Sequence, residues 1–400
     1  MIFQMGGRRV ILLAAILLIS GATSIFAQVT GLSGWNIYVD PGHSRTDNMG
    51  IFGYSESEKN VRVGLALKEL LLATTDIDTV YLSRTNDQVR VDLTQRSDQA
   101  NQLGAAWFHS IHSDAGSPNW NSTLLLWGQL LNGQEKTPPG GQAMADIMSP
   151  MLARGLRTDD RGSIGDCSFY RSFRPTACEH DGGPYLSVNR RTTMPSELSE
   201  AGFHTNPTQN QRNMNAEWKR LEAWTFYWSI LEYHGIERPE VGIVTGIVSD
   251  LETAKPVNGA VITLGDREYT TDTFESLFHK YSSDPNRLRN GFYFFENVVA
   301  DPATVTITVE ADGYKPFSTE IALVDSFFTF NDIQLIPAIP PQIATSDPVS
   351  GDTHRVVDPI AIAFTRPMNR PSTEAAFRLE PPVTGRFTWA SSLSLTFRPD

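Results

Sequence analysis

Ala105-Ala-Trp-Phe-His-Ser-Ile-His112 is a mostly apolar run that closes on polar Ser113-Asp114. Its length and composition predict a strand covered on both faces, the habit of a sheet sandwiched between helices. The flanking sequence extends this pattern. Trp35-Asn-Ile-Tyr-Val39 alternates and stops at the turn signal Asp40-Pro41-Gly42. Residues 59–72 place apolar side chains at helical spacing, 79–82 read as a short strand, and Asp92 is a natural N-cap for a helix running to 103. Residues 124–127 add a strand, and 141–153 and 209–233 read as helices. Strands alternating with helices predict an α/β domain over residues 33–237, a mixed sheet flanked by helices.

After Pro239 the character changes. Residues 241–248, 260–264, 292–295 and 304–309 are short apolar strands separated by turns, with no helical pattern of similar strength. They predict a small β-sandwich over 241–336. Ile336-Pro-Ala-Ile-Pro-Pro-Gln-Ile343 is a proline-rich linker. A second small β-sandwich is expected over 341–400, with too few strands to close, so that this last domain is expected to be incomplete.

The 400 residues are 40% hydrophobic and 20% charged, with a formal net charge of −12. The apolar content excludes a wholly disordered chain. The acidity argues against nucleic acid as a partner and against docking on anionic membranes by charge. Two cysteines exclude a disulfide-framed scaffold and a cysteine-rich zinc site. Residues 1–27 read as a signal peptide. Arg8 and Arg9 precede an apolar core at 10–19, and small residues lead to a cleavage point after Ala27. No later stretch is apolar enough to span a bilayer. The expected location is therefore secreted or periplasmic, at the cell envelope, and export permits a Cys167–Cys178 disulfide. Two free cysteines acting as small hydrophobes are the alternative. Residues 28–238 carry a net −5 and residues 239–400 a net −9, so the acidity concentrates in the β-rich part.

Chemistry-bearing residues gather near predicted strand ends. They are Asp40-Pro-Gly-His43, Glu56-Ser-Glu58-Lys59 opening a helix, Ser110-Ile-His112-Ser-Asp114, and Pro195-Ser-Glu-Leu-Ser-Glu200-Ala-Gly-Phe203. Sites in open α/β sheets form at the carboxyl ends of strands. Two histidines and a carboxylate suit a catalytic zinc ion with one position left for water, and a further carboxylate can take a proton. Spacing alone does not decide this, because only the fold can bring His43, Glu58 and His112 together.

Six ordered blocks carry a resemblance. They are Asp40-Pro-Gly-His43, Glu58-Lys-Asn-Val61, Ser83-Arg-Thr-Asn-Asp87, Leu93-Thr-Gln-Arg96 with Ala100-Asn101, Phe108-His-Ser-Ile-His112, and Glu200-Ala-Gly-Phe-His-Thr-Asn206-Pro207. Residues 35–236 thereby resemble the zinc-dependent N-acetylmuramoyl-L-alanine amidases of the amidase_3 type. The resemblance implies one zinc ion held by His43, Glu58 and His112, with Glu200 as catalytic acid and base. The implied substrate is peptidoglycan, cut between N-acetylmuramic acid and the L-alanine of the stem peptide. Zinc would activate water, and Glu200 would accept its proton and hand it to the leaving amine. The chain departs from the family pattern at Ser44-Arg45, at Arg62 and at Ser113-Asp114, which bears on substrate preference. Residues 166–184 look longer than the family needs and are placed as a rim over the site.

Competing residues can be weighed. Glu56 rivals Glu58 as ligand, and the Glu-Lys-Asn-Val register favours Glu58. Glu197 and His109 each lie three residues from Glu200 and His112, on the opposite face of their strands. They are read as packing residues. His180 is a loop candidate for zinc or substrate, His204 packs near the site, and Arg84 and Arg96 are structural. Residues 241–335 resemble a carboxypeptidase regulatory-like sandwich through Gly246-Ile-Val-Ser-Asp250 and Glu310-Ala-Asp-Gly-Tyr314, with a polar insertion at 272–289. Residues 343–400 resemble a bacterial Ig-like domain through Ser346-Asp-Pro-Val-Ser-Gly351. Through these domains a cell-envelope partner is expected. The rival functions are a zinc peptidase and a non-catalytic wall-binding or adhesive protein.

Overall fold

The computed structural model describes residues 28–44, 47–271 and 288–400. The expected signal peptide and nearly all of the 272–289 insertion lie outside the described residues. The chain runs β1 (Asn36–Pro41), α1 (Glu56–Thr74), β2 (Thr79–Leu82), α2 (Leu93–Gln102), β3 (Trp107–Asp114), β4 (Ser122–Trp127), α3 (Gly141–Leu156), β5 (Asp159–Gly165), α4 (Asp166–Arg171), α5 (Ser187–Arg191), β6 (Ser196–Phe203), α6 (Pro207–Asn213) and α7 (Ala216–Tyr233). The six strands form one sheet in the order β2-β1-β3-β6-β4-β5. β2, β1, β3 and β6 are parallel, and β4 turns the sheet mixed by pairing antiparallel with β6.

Alternation along the strands splits the core into two layers. Ile37, Val39, Trp107, Ile111 and Leu125 face α1, α3 and α7. Tyr38, Phe108, Leu124, Leu126 and Leu198 face the other way, against Ala100 of α2 and Val188 of α5. β3 is therefore covered on both sides, as its composition requires.

Two helix starts differ from the sequence reading. α1 begins at Glu56 rather than 59, because the Ser55 side chain accepts from the Glu58 N–H and caps the helix there. The helical stretch 209–233 is two helices, because Asn215 stops the first and caps α7 by accepting from Glu217 N and Trp218 N.

The second unit holds β7 (Gly242–Asp250), β8 (Val261–Leu264), β9 (Arg267–Thr270), β10 (Phe292–Val298), β11 (Thr304–Glu310), β12 (Phe317–Ala322), β13 (Phe328–Phe330) and β14 (Ile333–Leu335). They form two facing sheets, β10-β7-β13 with β14 also on β7, and β12-β11-β8-β9, around a core that includes Val248, Ile262 and Ile307. The third unit comprises β15 (Ile343–Asp347), β16 (Ile360–Phe364), α8 (Arg370–Ala376), β17 (Gly385–Ser391) and β18 (Ser394–Pro399). Among the described residues it is a single sheet, β15-β16-β18-β17, rather than a sandwich.

The change of structural class near residue 239 is not a break in packing. Apart from Arg220, α7 is buried from Trp218 to Leu231, with large apolar side chains on every face. One side meets the sheet and the other meets the β-sandwich. Trp218 lies against Phe292 at 5.0 Å and Trp228 against Phe328 at 4.8 Å. Arg157 grips Asp332 through two bonds of 2.6 and 2.7 Å, and Arg220 meets Glu296 at 2.6 Å. Because the two units share one core, they should unfold together. Trp228→Ala should cost about 3–5 kcal/mol and split a single urea transition, followed by circular dichroism, into two.

Candidate active site

β1 ends in Asp40-Pro41 and hands the chain to a turn in which His43 adopts a left-handed φ of 59°. Arg84 holds that turn by donating to three carbonyls, Pro41 O at 2.9 Å, Gly42 O at 2.5 Å and Ser57 O at 3.0 Å. Arg96 adds an ion pair to Asp40 at 3.3 Å and a bond to His43 O at 3.2 Å. Both arginines are thus structural, as expected, although Arg84 works through carbonyls rather than a carboxylate. Gly42 is required here, because a Cβ would collide with the His112 imidazole.

His112 closes β3. Its carbonyl accepts from Lys59 Nζ at 3.1 Å, and the same ammonium forms a buried ion pair with Glu222 of α7 at 2.6 Å. One lysine therefore ties α1, β3 and α7 together at the strand end.

The carboxylate that meets the two histidines is Glu56, not Glu58. Glu56 lies 3.3 Å from His43 Nε2 and 3.1 Å from His112 Nδ1. One donor atom from each of the three residues falls within 4.8 Å of the others. The helical phase explains the correction. Glu56 opens α1 on the face that points at the β1 turn, and Asn60, one turn later, reaches both Glu56 Oε1 at 3.3 Å and Gly42 O at 3.4 Å. Glu58 is rotated by about 200° around the helix and pairs with Arg62 at 3.6 Å. The early start fixed by Ser55 and the i, i+4 partner Asn60 are the signals that single out Glu56 in the sequence.

Glu56 is almost fully buried and densely bonded. Ser113 N donates to Oε1 at 2.9 Å, Asn48 Nδ2 to Oε2 at 2.6 Å, and His204 Nδ1 lies 3.7 Å away. Burial acts to raise its pKa, but the hydrogen bond to His112 and the fields of His43, His112 and His204 outweigh it and hold the carboxyl below its usual range. Burial pushes His43 down to about 4, against the pull of Glu56. His43 is therefore neutral at pH 7, the form whose ring nitrogen offers a lone pair.

Glu200 stands across from His112. Parallel pairing of β3 and β6 sets the two in register, and in-register neighbours present their side chains on the same sheet face. Its Oε2 is buried with no hydrogen-bond partner among the described residues. Burial first, then the charges of Glu56 and Asp114, raise the Glu200 pKa well above the usual carboxyl value. A carboxyl with raised proton affinity and a free oxygen is suited to carry a proton between partners.

The opposite face holds the pair read as packing. His109 and Glu197 meet at 2.8 Å, Trp107 Nε1 donates to Glu197 at 2.7 Å, and His109 packs on Phe226 at 4.5 Å. His204 is buried beside the cluster with Nδ1 3.0 Å from Ser113 O. His180 stays out of it, with an exposed side chain bonded to Asp181 at 2.7 Å. Cys167 and Cys178 are joined in a disulfide.

Residues 37–232 match the family described as N-acetylmuramoyl-L-alanine amidase. The chain is 32% identical over 177 residues to the N-acetylmuramoyl-L-alanine amidase CwlM of Bacillus licheniformis, covering 44% of this chain and 59% of that protein. It is 39% identical over 169 residues to the sporulation-specific N-acetylmuramoyl-L-alanine amidase of Bacillus subtilis, covering 42% and 55%. The chain thus spans a little over half the length of each relative. Among solved structures, it resembles the catalytic domain of CwlV from Bacillus (Paenibacillus) polymyxa var. colistinus. That match has 23% identity and a TM-score of 0.41, and covers 51% of this chain and 99% of that one.

The two acidic residues of β6 should respond oppositely to substitution. Glu197→Ala leaves His109 and the Trp107 indole without their partner and should cost about 3 kcal/mol. Glu200→Gln removes a charge that the fold penalises. A raised carboxyl pKa means that the ionised form costs stability at neutral pH, and that this cost vanishes once pH falls below the unfolded value of about 4.3. Urea denaturation of metal-free protein should therefore find Glu200→Gln at least as stable as wild type at pH 7, with the difference closing by about pH 4.

Proposed function

The α/β domain matches the N-acetylmuramoyl-L-alanine amidase family, and on that premise we propose that this chain is an exported peptidoglycan hydrolase of the cell envelope. It cleaves the amide between N-acetylmuramic acid and the L-alanine of the stem peptide. The observation that carries this reading is the convergence of His43, Glu56 and His112 beside Glu200, whose Oε2 has no hydrogen-bond partner among the described residues.

The donor set fits one zinc ion, namely two imidazoles and a carboxylate with room left for water and substrate. The close approach permitted by Gly42 and the neutral state of His43 support the same assignment. Zinc, when bound there, supplies Lewis acidity that polarises the amide carbonyl and brings the ionisation of water towards neutral pH.

The remaining work falls to the protein. Glu200 takes the proton of the attacking water on Oε2 and returns it to the leaving L-alanine nitrogen. Its partial burial and the neighbouring charges of Glu56 and Asp114 raise its proton affinity above that of an ordinary carboxyl. Asn48 and Ser113 N hold Glu56 by its two oxygens, so that the carboxylate stays fixed as charge develops. Lys59 anchors the His112 backbone to Glu222 and keeps the β3 end in place.

In this reading the β-sandwich is a carboxypeptidase regulatory-like module and the terminal sheet a bacterial Ig-like module, and both present the enzyme to an envelope partner. The shared α7 core makes the first of them a rigid extension of the enzyme.

The distinguishing experiment compares two neighbouring glutamates. Glu56→Gln should lower zinc content, read by elemental analysis, to well below one per chain, and should abolish release of stem peptides beginning at L-alanine from purified peptidoglycan. Glu58→Gln should keep both. Glu200→Gln should retain zinc and lose at least about 100-fold in kcat. Stem peptides shortened from within would instead mark a peptidase, and no products from the zinc-loaded chain would mark a binding protein.

A further inference from the structure

The connection between β5 and β6, residues 166–195, carries four arginines against three acids, although the whole chain is at −12. It is also built to hold a shape. Asp166 is buried and accepts from Gln129 N at 3.1 Å and Leu186 N at 3.0 Å. The Cys167–Cys178 disulfide closes the connection on itself. A cleft of about 480 Å³ opens there, lined by Arg174, Cys178, Tyr185 and Arg190 among others.

Tyr170 stacks on the cleft residue Tyr185 at 3.9 Å, and the Tyr185 hydroxyl accepts from Arg174 Nη1 at 2.6 Å. Arg190 is already engaged by Asp181 at 3.3 Å. Arg174 is exposed and has no carboxylate within ion-pair distance among the described residues. Its guanidinium is thus oriented by a tyrosine that is itself stacked, and the residue lines the cleft. A planar fork of this kind suits a carboxylate.

A chain of ring contacts links the cleft residue Tyr185 through Tyr170 and Phe169, at 5.2 Å from one another, to the end of β3. Tyr170 is close enough to Glu200 and Asp114 that, after burial, their charges raise its hydroxyl pKa. Arg161 lies over the Phe169 ring at 5.6 Å and pairs with Asp114 at 3.6 Å. An aromatic wall therefore runs from the Glu200 end of β6 to the Arg174 guanidinium.

We propose that this cleft is a substrate subsite for the acidic part of the stem peptide. Arg174 pairs a peptide carboxylate, and the Tyr170–Tyr185 stack positions its guanidinium. The assignment rests on the amidase reading and names the part of the substrate that the chain distinguishes. Stem peptides whose carboxylate is amidated should bind more weakly.

The test uses the whole chain and two reaction-product peptides that it does not cleave further, L-Ala-γ-D-Glu-L-Lys and its α-amidated isoglutamine counterpart, titrated by NMR or calorimetry. Wild type should bind the acidic peptide about tenfold or more tighter, as expected for one charge-assisted pair. Arg174→Ala should erase that preference, Arg174→Lys should keep part of it, and Arg174→Glu should reverse it. Tyr185→Phe, which removes the positioning hydroxyl, should weaken it. Equal binding of the two peptides by wild type, binding of neither, or a preference that survives Arg174→Ala would overturn the assignment. Peptidoglycan hydrolysis is scored alongside. An acid preference without hydrolysis would count against the amidase reading, and hydrolysis without the preference would count against the cleft.

Discussion

The Glu56 carboxylate is the point on which the site turns. It is buried, and burial of an ionised carboxylate is costly unless donors surround it. Here they do. A backbone N–H, an asparagine amide and two imidazoles lie within 3.3 Å, with a third imidazole at 3.7 Å. The donors come from three parts of the fold, namely the turn after β1, the end of β3 and the segment after β6. The carboxylate therefore forces three separate chain segments to agree on one location. That agreement depends on small details. Gly42 leaves room for an imidazole, Arg84 ties down the turn carbonyls, and Lys59 locks the strand end to α7.

Much of this was legible in the sequence. The apolar run ending at His112 reads as a doubly covered strand, and β3 is one. The two-residue period placed His109 and Glu197 opposite His112 and Glu200, and they do pair on the far face. Local pattern favours Glu58 over Glu56, whereas the carboxylate that the fold brings to His43 and His112 is that of Glu56. Two acids at i and i+2 look alike as letters but lie far apart around a helix, and only the position of the cap fixes which one faces the turn. Ser55 sets that position through a single hydrogen bond. The role of α7 was equally hidden. A helix with tryptophan, tyrosine and phenylalanine on every side carries no periodic signal, so the sequence reads a boundary after it where the packing continues.

That shared core changes how the two halves relate. A β module on a flexible linker would let the enzyme sample many orientations. With Trp218 and Trp228 seated against Phe292 and Phe328, and two arginine–carboxylate pairs across the seam, the sandwich instead fixes a direction for the active edge. The third sheet is joined through Arg366 and Glu252 at 2.8 Å rather than through a continuous core. Its attachment is accordingly polar, and the stiffness of the assembly falls off along the chain.

The most direct test of the central assignment is anomalous diffraction at the zinc edge from crystals of the whole chain grown with stoichiometric zinc. One strong peak is expected, bounded by His43, Glu56 and His112, with Glu58 still turned towards Arg62. A peak coordinated by Glu58, a peak elsewhere in the chain, or no peak at full zinc occupancy in solution would contradict the assignment.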